Sequence, residues 1–117
     1  MLHLSASCKY YLHRQAADMR KGFDSLSGLV TSELRMDVLS GAVFIFINKK
    51  HNQVKLLLWE GDGFAIYYKR LEKGTYEMPA TAKNDTLPSI THEALQHILQ
   101  GVSLKSVRKR KRYQQIT

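Results

Sequence analysis

The chain has 117 residues, 44% of them hydrophobic and 24% charged, which fits one globular domain and excludes a long disordered protein. Lys and Arg total 18 against 10 Asp and Glu, so the formal net charge is +8 with neutral histidines. The longest apolar run, residues 42–47, is too short to span a membrane, and no export signal is visible, so we expect a cytoplasmic protein.

The first third of the chain predicts a short strand followed by a helix. Residues 9–13 favour a strand because their centre is aromatic and apolar. Asp18 has the character of a helix N-cap, and Arg20 and Asp24 are spaced to pair on the outer surface of the helix. Glycines in this predicted helix, such as Gly28, either allow another element to pack closely or have no structural role there. The apolar face of this predicted helix consists of Met19, Phe23, Leu26, Val30 and Leu34.

From residue 40 the pattern becomes typical of strands. Residues 43–47 are β-branched and aromatic without alternation, which predicts a strand covered on both faces. Polar or glycine-rich turns follow at residues 49–52 and 60–63, and strands joined by such short turns predict an antiparallel meander. The predicted strands of the meander cover residues 43–47, 54–59, 64–69 and, as a short last member, 75–78.

The last third predicts a linker, a second helix and a basic tail. Residues 79–89 are typical of a linker, Thr91 is a plausible N-cap, and Gly101 suits the end of the helix. The apolar face of this helix consists of Ala94, Leu95, Ile98 and Leu99. The fold class is therefore α+β, with a meander of about four to five antiparallel strands packed with two helices. We expect a single domain over residues 1–104 and a basic, flexible tail over residues 105–117.

The usual catalytic and metal-binding motifs fail on spacing. His92 and His97 are five residues apart, whereas the helical zinc-protease motif needs four, so we expect two solvent-facing histidines and no metal. The carboxylates are spread through caps and turns, and no serine elbow or phosphate-binding glycine loop is present. The single cysteine, Cys8, excludes an internal disulfide and fits a partly buried thiol. The sequence therefore predicts no catalytic residue and no cofactor.

A basic run near the carboxyl end is the clearest functional feature. Such a run repels itself in water, and a polyanion that bound it would release condensed counterions, so binding would weaken steeply with salt. Tyr113 adjoins the run and could stack on a base. Two alternatives stay open, a solubilising charged end and a localisation signal. The run consists of Arg108, Lys109, Arg110, Lys111 and Arg112.

A second set of cations falls on the predicted meander, interleaved with aromatic residues. Basic and aromatic side chains on a sheet can follow a nucleic-acid backbone, although surface lysines are also common. Alternation predicts that Tyr67 and Tyr68 face opposite sides, so at least one should lie in the core. This set comprises Lys49, Lys50, Lys55, Lys69, Arg70 and Lys73, with Trp59 as the third aromatic residue. The candidate contacts within it are Lys49, Lys50, Lys69 and Arg70.

Four ordered blocks of sequence resemble one family. These blocks are residues 18–24 (DMRKGFD), 39–46 (LSGAVFIF), 55–60 (KLLLWE) and 67–74 (YYKRLEKG). They are similar to the TnpB-type accessory protein that the second reading frame encodes in one family of bacterial transposable elements, the insertion sequence sixty-six family. Ser25 and Val38 depart from the pattern, which favours glycine and proline at these places. The resemblance implies a cytoplasmic helper encoded beside a separate transposase that carries the catalytic residues.

Three functions follow as hypotheses. The first is a non-catalytic accessory protein for transposition that binds DNA, including the element ends, through its basic residues. The second is an adaptor that docks on the transposase through sheet edges or exposed aromatic residues and contacts DNA little. A nuclease activity at Asp18 or Asp24 is a third hypothesis, which the scattered carboxylates disfavour. Edge strands also leave room for a homodimer without requiring one.

Overall fold

A computed structural model describes residues 4–78 and 89–100 of the chain. The described residues form five strands, two α-helices and one π-helical segment. In chain order these elements are β1 (Tyr10–Leu12), α1 (Phe23–Leu29), the π segment (Val30–Leu34), β2 (Val43–Ile47), β3 (Gln53–Trp59), β4 (Phe64–Arg70), β5 (Ser89–Ile90) and α2 (His92–Gln100).

The strands form one mixed sheet in the order β4-β3-β2-β1-β5. The antiparallel meander of β2, β3 and β4 is confirmed, as is the α+β class. The expectation that every strand is antiparallel is wrong, because β1 runs parallel to β2. The chain between β1 and β2 contains α1, and a helical crossover is what returns a chain in the same direction.

The sheet is covered on both faces, as the unbroken apolar pattern of β2 predicts. All five residues of β2 are buried. Leu26 and Val30 pack on one face, which we call the α1 face, against Phe44 and Phe46. Leu95 and Ile98 pack on the opposite, α2 face. The turn that follows β2 is therefore positioned by a strand that is packed on both faces.

The first helix begins later than the sequence predicts. Its N-cap is Gly22, not Asp18, and Phe23 is its first residue. Phe23 was expected in the core but is 48% exposed. Arg20 pairs with Asp18, not with Asp24. The segment before α1 is a loop whose conformation is set by Asp18 itself, because the Oδ1 atom of Asp18 accepts the Arg20 N–H at 2.9 Å.

The π segment after α1 is tied to the end of β1 through a buried histidine. His13 is 5% exposed, and its Nε2 lies 2.6 Å from Oε2 of Glu33. Its Nδ1 lies 2.9 Å from the carbonyl oxygen of Gln15. Both ring nitrogens of this buried side chain therefore have a partner, as buried polar atoms require.

The carboxyl-terminal part differs in two places from the expected pattern. The short strand expected at residues 75–78 is absent from the described residues there; instead Tyr76 is 1% exposed and donates its N–H to the carbonyl of His51 at 2.6 Å. The fifth strand is β5, which begins at the end of the predicted linker. The second helix is confirmed with its N-cap, because Oγ1 of Thr91 accepts the Ala94 N–H at 3.0 Å. Gly101 lies outside the described residues.

Candidate nucleic-acid interface

The turn between β2 and β3 presents Lys49 and Lys50 to solvent. Asn48 organises this turn, because its Oδ1 accepts hydrogen bonds from the N–H groups of Asn52 and of the next residue, each at 2.9 Å. Its Nδ2 donates to Oδ1 of Asn52 at 2.7 Å. The two lysine side chains thus project from a backbone that internal hydrogen bonds hold in place.

Strand pairing brings Lys69 and Arg70 to the same end of the sheet. Arg70 is opposite Gln53 in the β3–β4 ladder, and Lys69 is opposite Val54. Neighbouring residues of a strand point to opposite faces, so these two cations lie on opposite faces of the sheet. Arg70 also pairs with Glu72 at 3.0 Å, and both side chains of this pair are largely exposed. The four predicted cations of the meander therefore share one end of the sheet but not one face.

A shallow cavity of about 490 Å³ lies on the α1 face at this end of the sheet. It opens between the loop before α1 and the β2–β3 turn, with Tyr68 of β4 in its lining. We call it the cationic groove. Its charged and polar lining comprises Asp18, Arg20, Asn48, Lys49, Lys50, Gln53 and Tyr68. The groove therefore unites Lys49 and Lys50 with a third cation, Arg20, which the sequence pattern does not indicate as a contact.

Arg20 is held in place by Asp18. Its Nη2 donates to Oδ2 of Asp18 at 2.7 Å, while its side chain stays 92% exposed. Hydrogen bonds from the side chain and backbone of Arg20 lower the pKa of Asp18 to about 2, and the same contact raises the pKa of Arg20. Asp18 is thus ionised at neutral pH and balances the positive charge of Arg20. It does not balance the charges of Lys49 and Lys50.

Lys55 is not a surface cation, although its position in the sequence suggested one. It is only 8% exposed, and its Nζ donates to the carbonyl oxygens of Met19 at 2.7 Å and Lys21 at 2.8 Å. The ammonium group also lies 4.7 Å from the ring centroid of Tyr68. Lys55 therefore fastens the loop that carries Arg20 onto the sheet and is committed to internal contacts.

The aromatic residues of the meander divide between the two ends of the sheet. Tyr68 lines the groove and donates its hydroxyl hydrogen to Oε1 of Gln53. Trp59 lies at the opposite end, where its ring meets that of Phe64 edge to face at 5.0 Å. Tyr67 and Tyr68 are 41% and 51% exposed, so the expectation that one is in the core is wrong. Both belong to β4, the last strand of the sheet, which the helices do not cover at this end.

The predicted contacts Arg108, Lys109, Arg110, Lys111 and Arg112 lie outside the described residues, and so does Tyr113. Their role stays a prediction, and the cationic groove is the part of the candidate interface that the structure describes.

The two histidines of α2 and the single cysteine were also considered for chemistry. The expectation that both histidines of α2 face solvent is wrong for His92, which is half-buried with its ring 5.7 Å from that of Tyr10, and is confirmed for His97, which is exposed. Cys8 is partly buried, as predicted, and hydrogen bonds from Ser5 lower its pKa. Within residues 4–78 and 89–100 no three His, Cys, Asp or Glu side chains cluster as metal ligands would. In the same part of the chain no helix has the length and apolar character needed to cross a bilayer.

The chain is similar to one protein family and to two bacterial proteins. The family model described as "IS66 Orf2 like protein" matches residues 8–109. Two uncharacterised proteins of Sinorhizobium fredii are similar: y4hO is 28% identical over 102 residues, 87% of each chain, and y4jC is 30% identical over 79 residues, 68% of each chain. No solved structure matches the chain significantly. The family match covers most of the chain, including every strand and helix described above. The chain therefore belongs to the IS66 Orf2-like family of accessory, non-catalytic proteins associated with transposition.

Proposed function

We propose that this accessory protein binds DNA through the cationic groove and the carboxyl-terminal basic run, and so assists a separate transposase that carries the catalytic residues. The observation that carries the proposal is the gathering of Arg20, Lys49 and Lys50 around one groove that Tyr68 also lines. Three segments distant in sequence contribute these residues, so the concentration of charge arises only in the folded protein.

The groove has the chemistry that a phosphodiester backbone requires. Lys49 and Lys50 supply exposed ammonium groups, and Arg20 supplies a planar guanidinium that can donate to two phosphate oxygens. The exposed ring of Tyr68 offers a surface against a sugar or an unpaired base. Each phosphate that such cations neutralise releases counterions, which favours binding at low salt. Lys69 and Arg70 lie at the same end of the sheet and extend the positive field beyond the groove.

A salt-titrated binding experiment tests the proposal. The dissociation constant for duplex DNA carrying the element ends is measured against salt concentration for the wild-type protein and for a Lys49→Ala, Lys50→Ala double variant. We expect the double variant to lower the steepness of the log–log plot by about 0.9 for each phosphate that is no longer neutralised. A variant with Arg108 to Arg112 changed to alanine should lower it further, because those residues act independently of the groove.

The matched control is Lys9→Ala. Lys9 is exposed like Lys49, but it precedes β1, and its carbonyl accepts the N–H of Val43 at 2.9 Å, so it lies at the other end of the sheet. This variant removes one positive charge and should keep the wild-type salt dependence. Identical slopes for the wild-type protein and the double variant would remove the groove from the interface. Failure of the wild-type protein to bind any duplex in dilute buffer would overturn DNA binding altogether.

The adaptor hypothesis is the second candidate. The observation that favours it is the exposure of Tyr67 and Tyr68 on an edge strand, because edge strands and exposed aromatic side chains suit protein contacts. An adaptor would co-purify with the transposase of the same element at high salt, where electrostatic binding to DNA is suppressed. Absence of co-purification under every salt condition would count against it.

A further inference from the structure

The outer edge of β4 is the feature of the fold that lacks a partner among the described residues. β4 spans Phe64–Arg70 and is the last strand on its side of the sheet. It pairs with β3 along its whole length, from Phe64 opposite Trp59 to Arg70 opposite Gln53. The opposite edge of the sheet is β5, which has only two residues. β4 therefore offers the one long free edge in the described part of the chain.

Two hydrogen bonds fix which residues of β4 point outward. The N–H of Leu71 donates to the carbonyl of Asn52 at 2.7 Å, and the N–H of Glu60 donates to the carbonyl of Gly63 at 2.9 Å. Both pairs belong to the β3–β4 register and are therefore hydrogen-bonded positions of the ladder. Along an antiparallel ladder, residues whose N–H and C=O groups face the partner strand alternate with residues whose groups face away from it. The outward-directed backbone groups belong to Phe64, Ile66, Tyr68 and Arg70.

This edge lacks the usual protection against strand pairing. Natural edge strands are blunted by proline, by bulges or by charged residues in their centre. The β3–β4 register is continuous, without a bulge, and β4 contains no proline. Its centre is apolar and aromatic, from Ala65 to Tyr68, and its charges stand only at the carboxyl end. Such an edge is able to pair with another strand.

The charges around the edge indicate which strand it receives. The turn before β4 carries Glu60 and Asp62, both exposed, whereas β4 ends in Lys69 and Arg70. An antiparallel copy of the same strand would place its cationic end beside this acidic turn, and the reverse contact would form at the other end. We propose that the protein forms a two-fold dimer in which the β4 edges of two copies pair antiparallel and join their sheets into one.

One register satisfies the apolar and the charged residues together. With Ile66 opposite Ile66 of the second copy, Phe64 is opposite Tyr68 and Asp62 is opposite Arg70, in both directions. Phe64, Ile66, Tyr68 and Arg70 alternate along β4 and lie on the α1 face, where Phe64 and Ile66 already pack against the core. In the monomer Arg70 contacts Glu72 in an exposed pair, which holds it weakly, so Arg70 is able to turn to the second copy. The contact is the same in both copies, as a closed two-fold interface requires.

The experiment measures molecular mass by sedimentation equilibrium of the full chain over a wide dilution series. The wild-type protein should approach twice 13.4 kDa on concentration and dissociate on dilution. Ile66→Pro removes an N–H that points outward and is not used by β3, so it should leave a folded monomer. Circular dichroism checks that the variant keeps its strands.

A charge exchange supplies a second test that does not rely on proline. Arg70→Glu places a carboxylate beside Asp62 of the second copy and should weaken the dimer, and Asp62→Lys combined with Arg70→Glu should restore it. A wild-type protein that stays monomeric at every concentration would overturn the proposal. This holds even if the β4 edge pairs with a strand of the transposase instead. A dimer that neither Ile66→Pro nor Arg70→Glu weakens would overturn it as well, because its interface would lie elsewhere.

Discussion

Lys55 places its charge inside the protein, where it acts on the backbone of another segment. Its Nζ bridges the carbonyl oxygens of Met19 and Lys21, which no regular secondary structure would otherwise engage. The stem of the side chain crosses the α1 face of β3, so the loop bearing Asp18 and Arg20 rests on the sheet. The geometry of the cationic groove thus depends on a residue that does not itself line it.

We predict that Lys55→Met lowers the free energy of unfolding by about 1–3 kcal/mol, because two carbonyl groups are deprived of a charged donor while the apolar stem is kept. Urea denaturation at neutral pH measures the change. Lys49→Met is the matched control: the same substitution at an exposed lysine should change stability by less than about 0.5 kcal/mol. Equal stabilities of Lys55→Met and the wild-type protein would show that the loop does not depend on this tether.

The carboxylate of Asp18 gives the groove a defined response to acid. Hydrogen bonds from Arg20 lower the pKa of Asp18 from 3.8 to about 2 in the folded protein. Because the pKa is depressed, the contribution of the ion pair to stability is fully present above pH 3.8 and is lost as the pH falls through about 2. An NMR titration of the Asp18 carboxyl carbon should find this low midpoint, and Arg20→Ala should move it up toward the ordinary value. An unchanged midpoint in Arg20→Ala would assign the shift to another cause.

In α1 and the π segment after it, side chains compete with the hydrogen bonds of the helical backbone. The hydroxyl of Thr31 donates to the carbonyl of Ser27 at 3.1 Å, and that of Ser32 donates to the carbonyl of Gly28 at 2.7 Å. Side chains that bond to carbonyls of the preceding turn tend to loosen or bend a helix. The segment ends at Arg35, whose left-handed conformation, φ 54°, stops the helix.

Gly28 lies in α1 with open space at the position that a side chain would occupy. No atom lies within 4 Å of the place where its Cβ would be, so no neighbouring element requires glycine at this position. Gly28→Ala should therefore raise the free energy of unfolding by about 1 kcal/mol, through the lower helix propensity of glycine. Gly41→Ala is the contrast, because φ there is +87° and a side chain would strain the turn. Thermal unfolding measures both, and a destabilised Gly28→Ala would contradict the assignment.

The elements that the sequence predicts well are those whose pattern is local. The buried strand β2, the two turns of the meander and the cap at Thr91 follow from composition and spacing within a few residues. The parallel pairing of β1 does not, because it depends on how the crossover through α1 returns the chain. Nor does the start of α1, which is decided by the loop contacts of Asp18 and by Lys55, more than thirty residues away. The same long-range contacts bring Arg20 to the groove, which is why residue type alone did not select it.

A β4–β4 dimer would determine where the two cationic grooves lie relative to each other. Directly opposed residues of an antiparallel pair lie on the same face of the sheet, so a β4–β4 dimer would present the α1 faces of both copies on one side. The cationic grooves would then open on that side. They would be separated along the strand direction by about the length of β4, which at roughly 3.4 Å per residue exceeds 20 Å. One duplex could therefore contact both grooves.

This arrangement predicts how dimer formation affects DNA binding. When both copies neutralise phosphates in one complex, the steepness of the log–log salt plot reflects the phosphates neutralised by two protomers, and it should fall to about half in the monomeric Ile66→Pro variant. The affinity should fall as well, because the second groove no longer binds at the high effective concentration that linkage provides. The measurement is the salt dependence of binding to a duplex long enough to span both grooves, with Lys9→Ala as a control that remains dimeric. Equal slopes for wild-type protein and Ile66→Pro would show that each protomer holds DNA alone, and would separate the dimer from the DNA-binding function.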